Sequence, residues 1–163
     1  MKRWLPLLLL ALPAVSHAQC ETTSANVGVQ WGLGIQSLFP GNQPDFKLLS
    51  PGYLLTGGYR WGNSSVYGTV QYASSTGFTL VSFEGTFRQI LETPFLNFFG
   101  QAGAYYQSYL LQGGGGRHNS AGGLLAAGLL IQLSPGIEFT AHFKGYIEKE
   151  SITAAGGTFL FSL

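Results

Sequence analysis

Read at a period of two, residues 25–36 place Val27, Val29, Trp31, Leu33 and Ile35 on one face and Asn26, Gly28, Gln30, Gly32, Gly34 and Gln36 on the other. Such alternation predicts a strand with two unlike faces, because successive side chains leave a pleated backbone on opposite sides. Residues 52–61 repeat the pattern, with Tyr53, Leu55, Tyr59 and Trp61 opposite Thr56, Gly58 and Arg60. A third strand over 65–72 sets Val66, Val70 and Tyr72 against Tyr67, Thr69 and Gln71. A fourth over 78–89 sets Val81, Phe83 and Phe87 against Ser82, Glu84, Thr86 and Arg88.

The contrast fades midway along the chain. In a fifth strand, 95–107, Leu96, Phe98, Ala102, Ala104 and Tyr106 oppose Asn97, Gln101 and Gln107, while Phe95, Phe99 and Tyr105 blur the polar side. A sixth, 121–133, is apolar on both faces, with Leu125, Leu129 and Ile131 alternating with Leu124, Ala126, Gly128 and Leu130. The seventh is the clearest: Ile137, Phe139, Ala141, Phe143 and Ile147 against Glu138, Thr140, His142, Lys144, Tyr146 and Glu148. The eighth, 153–163, puts Phe159, Phe161 and Leu163 on one face. Turn-forming residues at 73–77, 91–94 and 134–136 separate these runs. Eight sequential strands predict an all-β, eight-stranded antiparallel up-and-down barrel. Connections after the second, fourth and sixth strands are short, and the longest, 37–51 and 108–120, follow the first and fifth. Long loops on one side and short turns on the other are the habit of transmembrane barrels.

The N-terminus changes the compartment. Lys2 and Arg3 precede an apolar run from Trp4 to Val15, and Ser16-His17-Ala18 offers small residues for cleavage. This is the layout of a secretory signal peptide. The run is also too short, and too interrupted by Pro6 and Pro13, to cross a bilayer, which takes about 20 apolar residues as a helix. The expected organisation is a cleaved signal peptide at 1–18, a short periplasmic tail at 19–24 and a barrel at 25–163, with no appended domain. Cys20, the lone cysteine, excludes an intramolecular disulfide.

Charge then decides which face meets water. Without Lys2 and Arg3 the chain keeps six basic against seven acidic residues, a net charge of −1, which offers no footprint for nucleic acid. Charged residues are 9% of the chain, against roughly 25% in ordinary soluble domains. A soluble barrel of lipocalin type would carry its polar face outward and need far more charge there. With polar faces inward, a narrow lumen accounts for both the scarce charges and the glycines at 28, 32, 34, 58 and 128. Arg60, Glu84, Arg88, Glu138, His142, Lys144 and Glu148 all fall on the inward face, and a charge network that plugs the lumen is the expected use of them. Trp31, Tyr53, Trp61, Tyr72, Phe87, Phe98, Phe139, Phe143 and Phe159 would supply interfacial girdles.

Over residues 25–163 the chain resembles the OmpA/OmpX-like superfamily of small outer-membrane barrels, including its apolar alternation up to the C-terminus, where Leu163 stands in place of the family's usual Phe. The resemblance implies residence in the outer membrane of a Gram-negative bacterium, insertion by the outer-membrane assembly machinery and contact with lipopolysaccharide. Within that superfamily the implied role is structural, adhesive or envelope-related. Narrow passage of small apolar solutes is the alternative.

Candidate chemistry is sparse. Phe39, Phe46, Leu48 and Leu49 in the first long connection, and Tyr109, Leu110 and Leu111 in the third, form a possible contact surface for an extracellular partner. The favoured reading is that Leu48 and Leu49 extend the second strand and Leu110 and Leu111 the fifth, above the membrane. His118-Asn119-Ser120 with Glu138 downstream invites comparison with lipid A deacylases, but Ala121 rather than Asn follows the serine, and a plain polar loop is the favoured reading. The glycines at 113–116 lack phosphate-binding spacing, and two histidines beyond the signal peptide cannot build the usual metal sites, so no cofactor is expected.

Overall fold

A computed structural model of the chain describes residues 27–40, 49–75, 78–94, 96–111, 116–147 and 152–163. The proposed signal peptide and tail lie outside the described residues. Eight strands follow in order: β1 (Gly28–Pro40), β2 (Leu49–Trp61), β3 (Ser64–Ser75), β4 (Phe78–Leu91), β5 (Asn97–Leu111), β6 (Arg117–Ser134), β7 (Ile137–Ile147) and β8 (Ile152–Ser162). Each pairs antiparallel with its neighbour in sequence, and β1 pairs with β8 from Gln30↔Ser162 to Pro40↔Ile152, closing the barrel. The Leu163 amide donates to the Val29 carbonyl at 3.0 Å and completes the seam.

The two faces separate cleanly. Leu33, Phe83 and Leu125 point outward at 52%, 53% and 56% exposure, whereas Arg60 and Glu138 on the inner face are 1% and 0% exposed. This is the reverse of a water-soluble barrel. An apolar exterior wrapped around a polar interior is stable only where the surroundings are themselves apolar. Aromatic side chains gather on the outer wall near the end that carries Gly28 and Ser162. There Trp31 stacks on Phe161 at 4.6 Å, Trp61 lies 6.2 Å from Tyr59, and Phe139 lies 5.0 Å from Phe159. Tyr53 and Tyr72, directly paired across β2 and β3, are exposed nearer the other end.

The turns at the terminal end are tight, at 62–63, 92–96 and 135–136, and Gly62 and Gly136 take the positive φ that two of them require. At the opposite end the strands run further than the sequence pattern implies. The connections expected at 37–51 and 108–120 shrink to 41–48 and 112–116. Phe39, Tyr109, Leu110 and Leu111 are therefore strand residues, not loop residues, and Leu49 opens β2. Phe39 and Leu110 point outward and Tyr109 packs inward. The physical reason is that ladder hydrogen bonds satisfy the backbone above a membrane as well as within it, so pairing has no cause to stop at the apolar boundary. Phe46 and Leu48 lie outside the described residues.

Because the outer wall faces lipid, a charge placed at its mid-height meets no water. Phe83→Arg is expected to lower folding stability by about 2–4 kcal/mol, read as a fall in the urea midpoint of the barrel refolded into lipid vesicles; an unchanged midpoint would contradict the assigned orientation.

Candidate functional site

The lumen is where the polar residues converge, and it is built in layers. Toward the terminal end Ile90, Phe99 and Leu130 pack together. Toward the loop end Leu38, Ala73, Leu80, Tyr105, Leu124, Tyr146 and Ala154 form a larger apolar cluster, with Tyr109 and Ile152 against it. The Arg60–Glu138 pair lies beside the terminal-end turns, and Glu84, Arg88, His142 and Lys144 lie further in.

Arg60 on β2 and Glu138 on β7 meet across the lumen, with Nη1 to Oε1 at 2.5 Å and both side chains excluded from solvent. The Arg60 Nε also donates to the Gly62 carbonyl at 2.9 Å, so the β2–β3 turn orients the guanidinium. Lys144 on β7 donates to Glu84 Oε2 on β4 at 2.7 Å, and the Tyr146 hydroxyl donates to the other carboxylate oxygen at 2.6 Å. His142 reaches Gln36 Oε1 at 3.3 Å through Nε2. Arg88 is held differently: its Nε and Nη2 both donate to Gln101 Oε1, at 3.2 and 3.1 Å, and its guanidinium lies 4.6 Å from the Tyr67 ring centre and 4.2 Å from that of Phe99. Six of the seven candidate lumen residues thus face inward, four of them in two ion pairs. Glu148 lies outside the described residues.

Parity also places the neutral half of this interior on the inward faces, but not the contacts it makes. Gln30, Gln36, Gln71 and Gln101 are buried and bridge strands, with Gln30 accepting from Tyr67 and donating to Ser162 Oγ at 2.9 Å. Tyr67, Phe99 and Tyr105 turn inward as well, and each sits directly opposite a glycine: Gly58, Gly128 and Gly122. A Cβ built on Gly58 would come within 2.5 Å of the Tyr67 ring, and one on Gly128 within 2.7 Å of the Phe99 ring. The missing side chain on one strand is the space that the ring on the next one fills. A glycine opposite an aromatic residue was the available signal, but it is readable only once the register is known.

The space left over is small. A cavity of about 20 Å³ lies among Leu54, Tyr67, Arg88, His142, Lys144 and the threonines at 56, 69 and 158. That exceeds the roughly 10–15 Å³ that one water needs.

The hydrolase comparison fails on geometry. His118 and Ser120 lie near the loop end of β6, and Glu138 pairs with Gln132, twelve residues further down that strand. At about 3.3 Å per residue the serine and the carboxylate stand roughly 40 Å apart along the wall, and Glu138 is already engaged with Arg60. These three residues do not form a triad. Among the described residues no group of three His, Cys, Asp or Glu side chains is placed to hold a metal.

Closure, an apolar belt and a polar filled interior define a transmembrane β-barrel. Its fold is that of the small integral outer-membrane barrels of Gram-negative bacteria. Neisserial surface protein A superposes with a TM-score of 0.63 at 12% identity, covering 85% of this chain and 98% of that one. The N-terminal barrel domain of Pseudomonas aeruginosa OprF gives 0.59 at 13% identity, over 83% and 99%. Ail, the attachment invasion locus protein of Yersinia pestis, gives 0.54 at 14% identity, over 84% and 99%. No protein-family model and no curated protein matches the sequence.

The Arg60–Glu138 pair generates a prediction with a sign. Glu138→Gln leaves a buried guanidinium without its counter-charge and is expected to cost about 3–5 kcal/mol, whereas Arg60→Met combined with Glu138→Leu removes both charges and recovers most of that loss. Urea midpoints of the three barrels test it, and a double variant no more stable than Glu138→Gln would show that the pair is not the source of the effect. The glycine and ring pairs give a second. Gly128→Val drives its Cβ against the Ala141 carbonyl oxygen as well as into the Phe99 ring and is expected to destabilise by at least the roughly 1–3 kcal/mol of an overpacked side chain, a loss that Phe99→Ala in the same chain does not restore because the backbone clash remains.

Proposed function

We propose that this chain is a non-enzymatic, non-conducting barrel of the Gram-negative outer membrane, with a structural, adhesive or envelope-related role exercised at its loop end. The observation that carries this reading is the filled lumen. Two ion pairs cross it, apolar clusters occupy both ends, and the cavity among the charges has room for about one small occupant. A ring of eight strands has an interior that side chains can fill completely. With the interior committed to packing, the surfaces left for contact are the membrane-facing wall and the rim.

The rim is lean. It consists of the segments 41–48, 76–77, 112–116 and 148–151 and the strand ends beside them, among which Arg117 and His118 are exposed. Two neighbours in fold are named for the surface and for attachment, Neisserial surface protein A and the attachment invasion locus protein. That supports a contact role here. Lipopolysaccharide around the rim, the outer-membrane assembly machinery during insertion and an extracellular partner at segments 41–48 and 112–116 are the partners this reading assigns. A second reading, a narrow passage for small apolar solutes, draws on the apolar character of the loop-end cluster. It requires Leu38, Leu80, Tyr105 and Leu124 to move aside, since all four are buried against one another.

Conductance of the refolded barrel in a planar bilayer separates a closed lumen from an open one. Silence is expected, and discrete openings would overturn the proposal. Replacing residues 41–48 by a two-residue turn should reduce cell-surface adhesion and leave uptake of small apolar solutes unchanged. The opposite pattern would put transport first.

A further inference from the structure

The lumen charges do not balance. Five formally charged side chains are buried there among the described residues: Arg60, Glu84, Arg88, Glu138 and Lys144. Glu138 gives Oε1 to Arg60, its Oε2 being buried without a hydrogen-bond partner, and Glu84 is taken by Lys144, so two carboxylates face three cations and the Arg88 guanidinium, 7% exposed, has no ion pair of its own. Tyr67 and Phe99 approach it at 4.6 and 4.2 Å, and Gln101 accepts from Nε and Nη2. Nη1 is buried and donates to nothing. Ring faces and a neutral amide offset a buried cation only in part.

Arg88 also lines the cavity of about 20 Å³, together with Lys144, His142 and the hydroxyl-bearing Thr56, Thr69 and Thr158. No carboxylate is among the lining residues. A cavity with two permanent cations and several hydroxyls in its wall, and an unused N–H nearby, favours negative charge. The cavity is small, against the roughly 10–15 Å³ that one water needs, and a monatomic anion is the class of occupant that suits it best. We propose that this pocket is a halide site, in which a chloride ion accepts from Arg88 and supplies the counter-charge that the protein's own carboxylates do not. Water would satisfy the hydrogen bond but leave the charge uncompensated.

The test uses bromide as the probe, because it matches chloride in charge and is located directly by anomalous scattering. The chain is refolded into detergent in sodium bromide or in sodium gluconate of equal ionic strength, gluconate being too large for the pocket. The temperature at which the compact, fast-migrating form is lost on a gel is then measured. Above the dissociation constant, that temperature is expected to rise by roughly 4 °C for each tenfold increase in bromide, with no such trend in gluconate and none for Arg88→Gln. Crystals grown in bromide should show an anomalous peak beside Arg88 Nη1. This second measurement needs only the unaltered chain, so it decides the matter if Arg88→Gln does not refold. Equal melting in both salts, a bromide dependence that survives Arg88→Gln, or crystals with no bromide at Arg88 would each overturn the proposal. So would a dependence that emerges only in Glu148→Gln, because Glu148 would then be the counter-charge.

Discussion

The seam between β1 and β8 is the constraint on which the rest of the molecule depends. In a hydrocarbon medium an unpaired peptide group costs several kcal/mol, so a sheet can cross only if it has no free edge. Here the register from Gln30↔Ser162 to Pro40↔Ile152 joins the first strand to the last, and the Leu163 amide extends the join by one more bond to Val29. Closing after eight strands then fixes the bore. It is so narrow that the choice for each inward position is between a side chain that packs and a glycine that makes room for one.

That choice explains the composition of the interior. Large side chains enter where the facing strand retreats to glycine, as Tyr67 does over Gly58 and Phe99 over Gly128. Charged side chains enter where another strand supplies the partner across the bore, as β7 does for both β2 and β4 through Glu138 and Lys144. β7 therefore holds opposite walls together by polar bonds that no ladder provides. Both ion pairs are buried from bulk water, and this strengthens them while raising the cost of separating them.

The fold was legible because a period of two survives any uncertainty about strand ends. β1, β2 and β7 read correctly residue by residue over their shared length, and the inward placement of Arg60, Glu84, Arg88, Glu138, His142 and Lys144 follows from parity alone. Which charges meet was not legible. Arg60 and Glu138 are 78 positions apart on strands that are not neighbours, and their meeting depends on strand tilt across the bore, which local pattern does not encode. The faces of β5 and β6 were assigned correctly by parity but with little contrast between them. Phe99, Tyr105, Leu124 and Leu130 are inward apolar residues, and alternation assumes that inward means polar. The loop ends were misplaced because Phe39 and Tyr109 to Leu111 continue the hydrogen-bond ladder past the point where loop composition suggests a stop.

The same geometry separates the parts of the chain free to specialise from those that are not. An inward substitution on any strand meets a partner on another, so the lumen tolerates change only in compensating sets, as the coupling of Glu84 to both Lys144 and Tyr146 illustrates. An outward substitution must remain apolar across the membrane. Among the described residues, only the strand ends at the loop end, such as that carrying Arg117 and His118, answer to neither requirement.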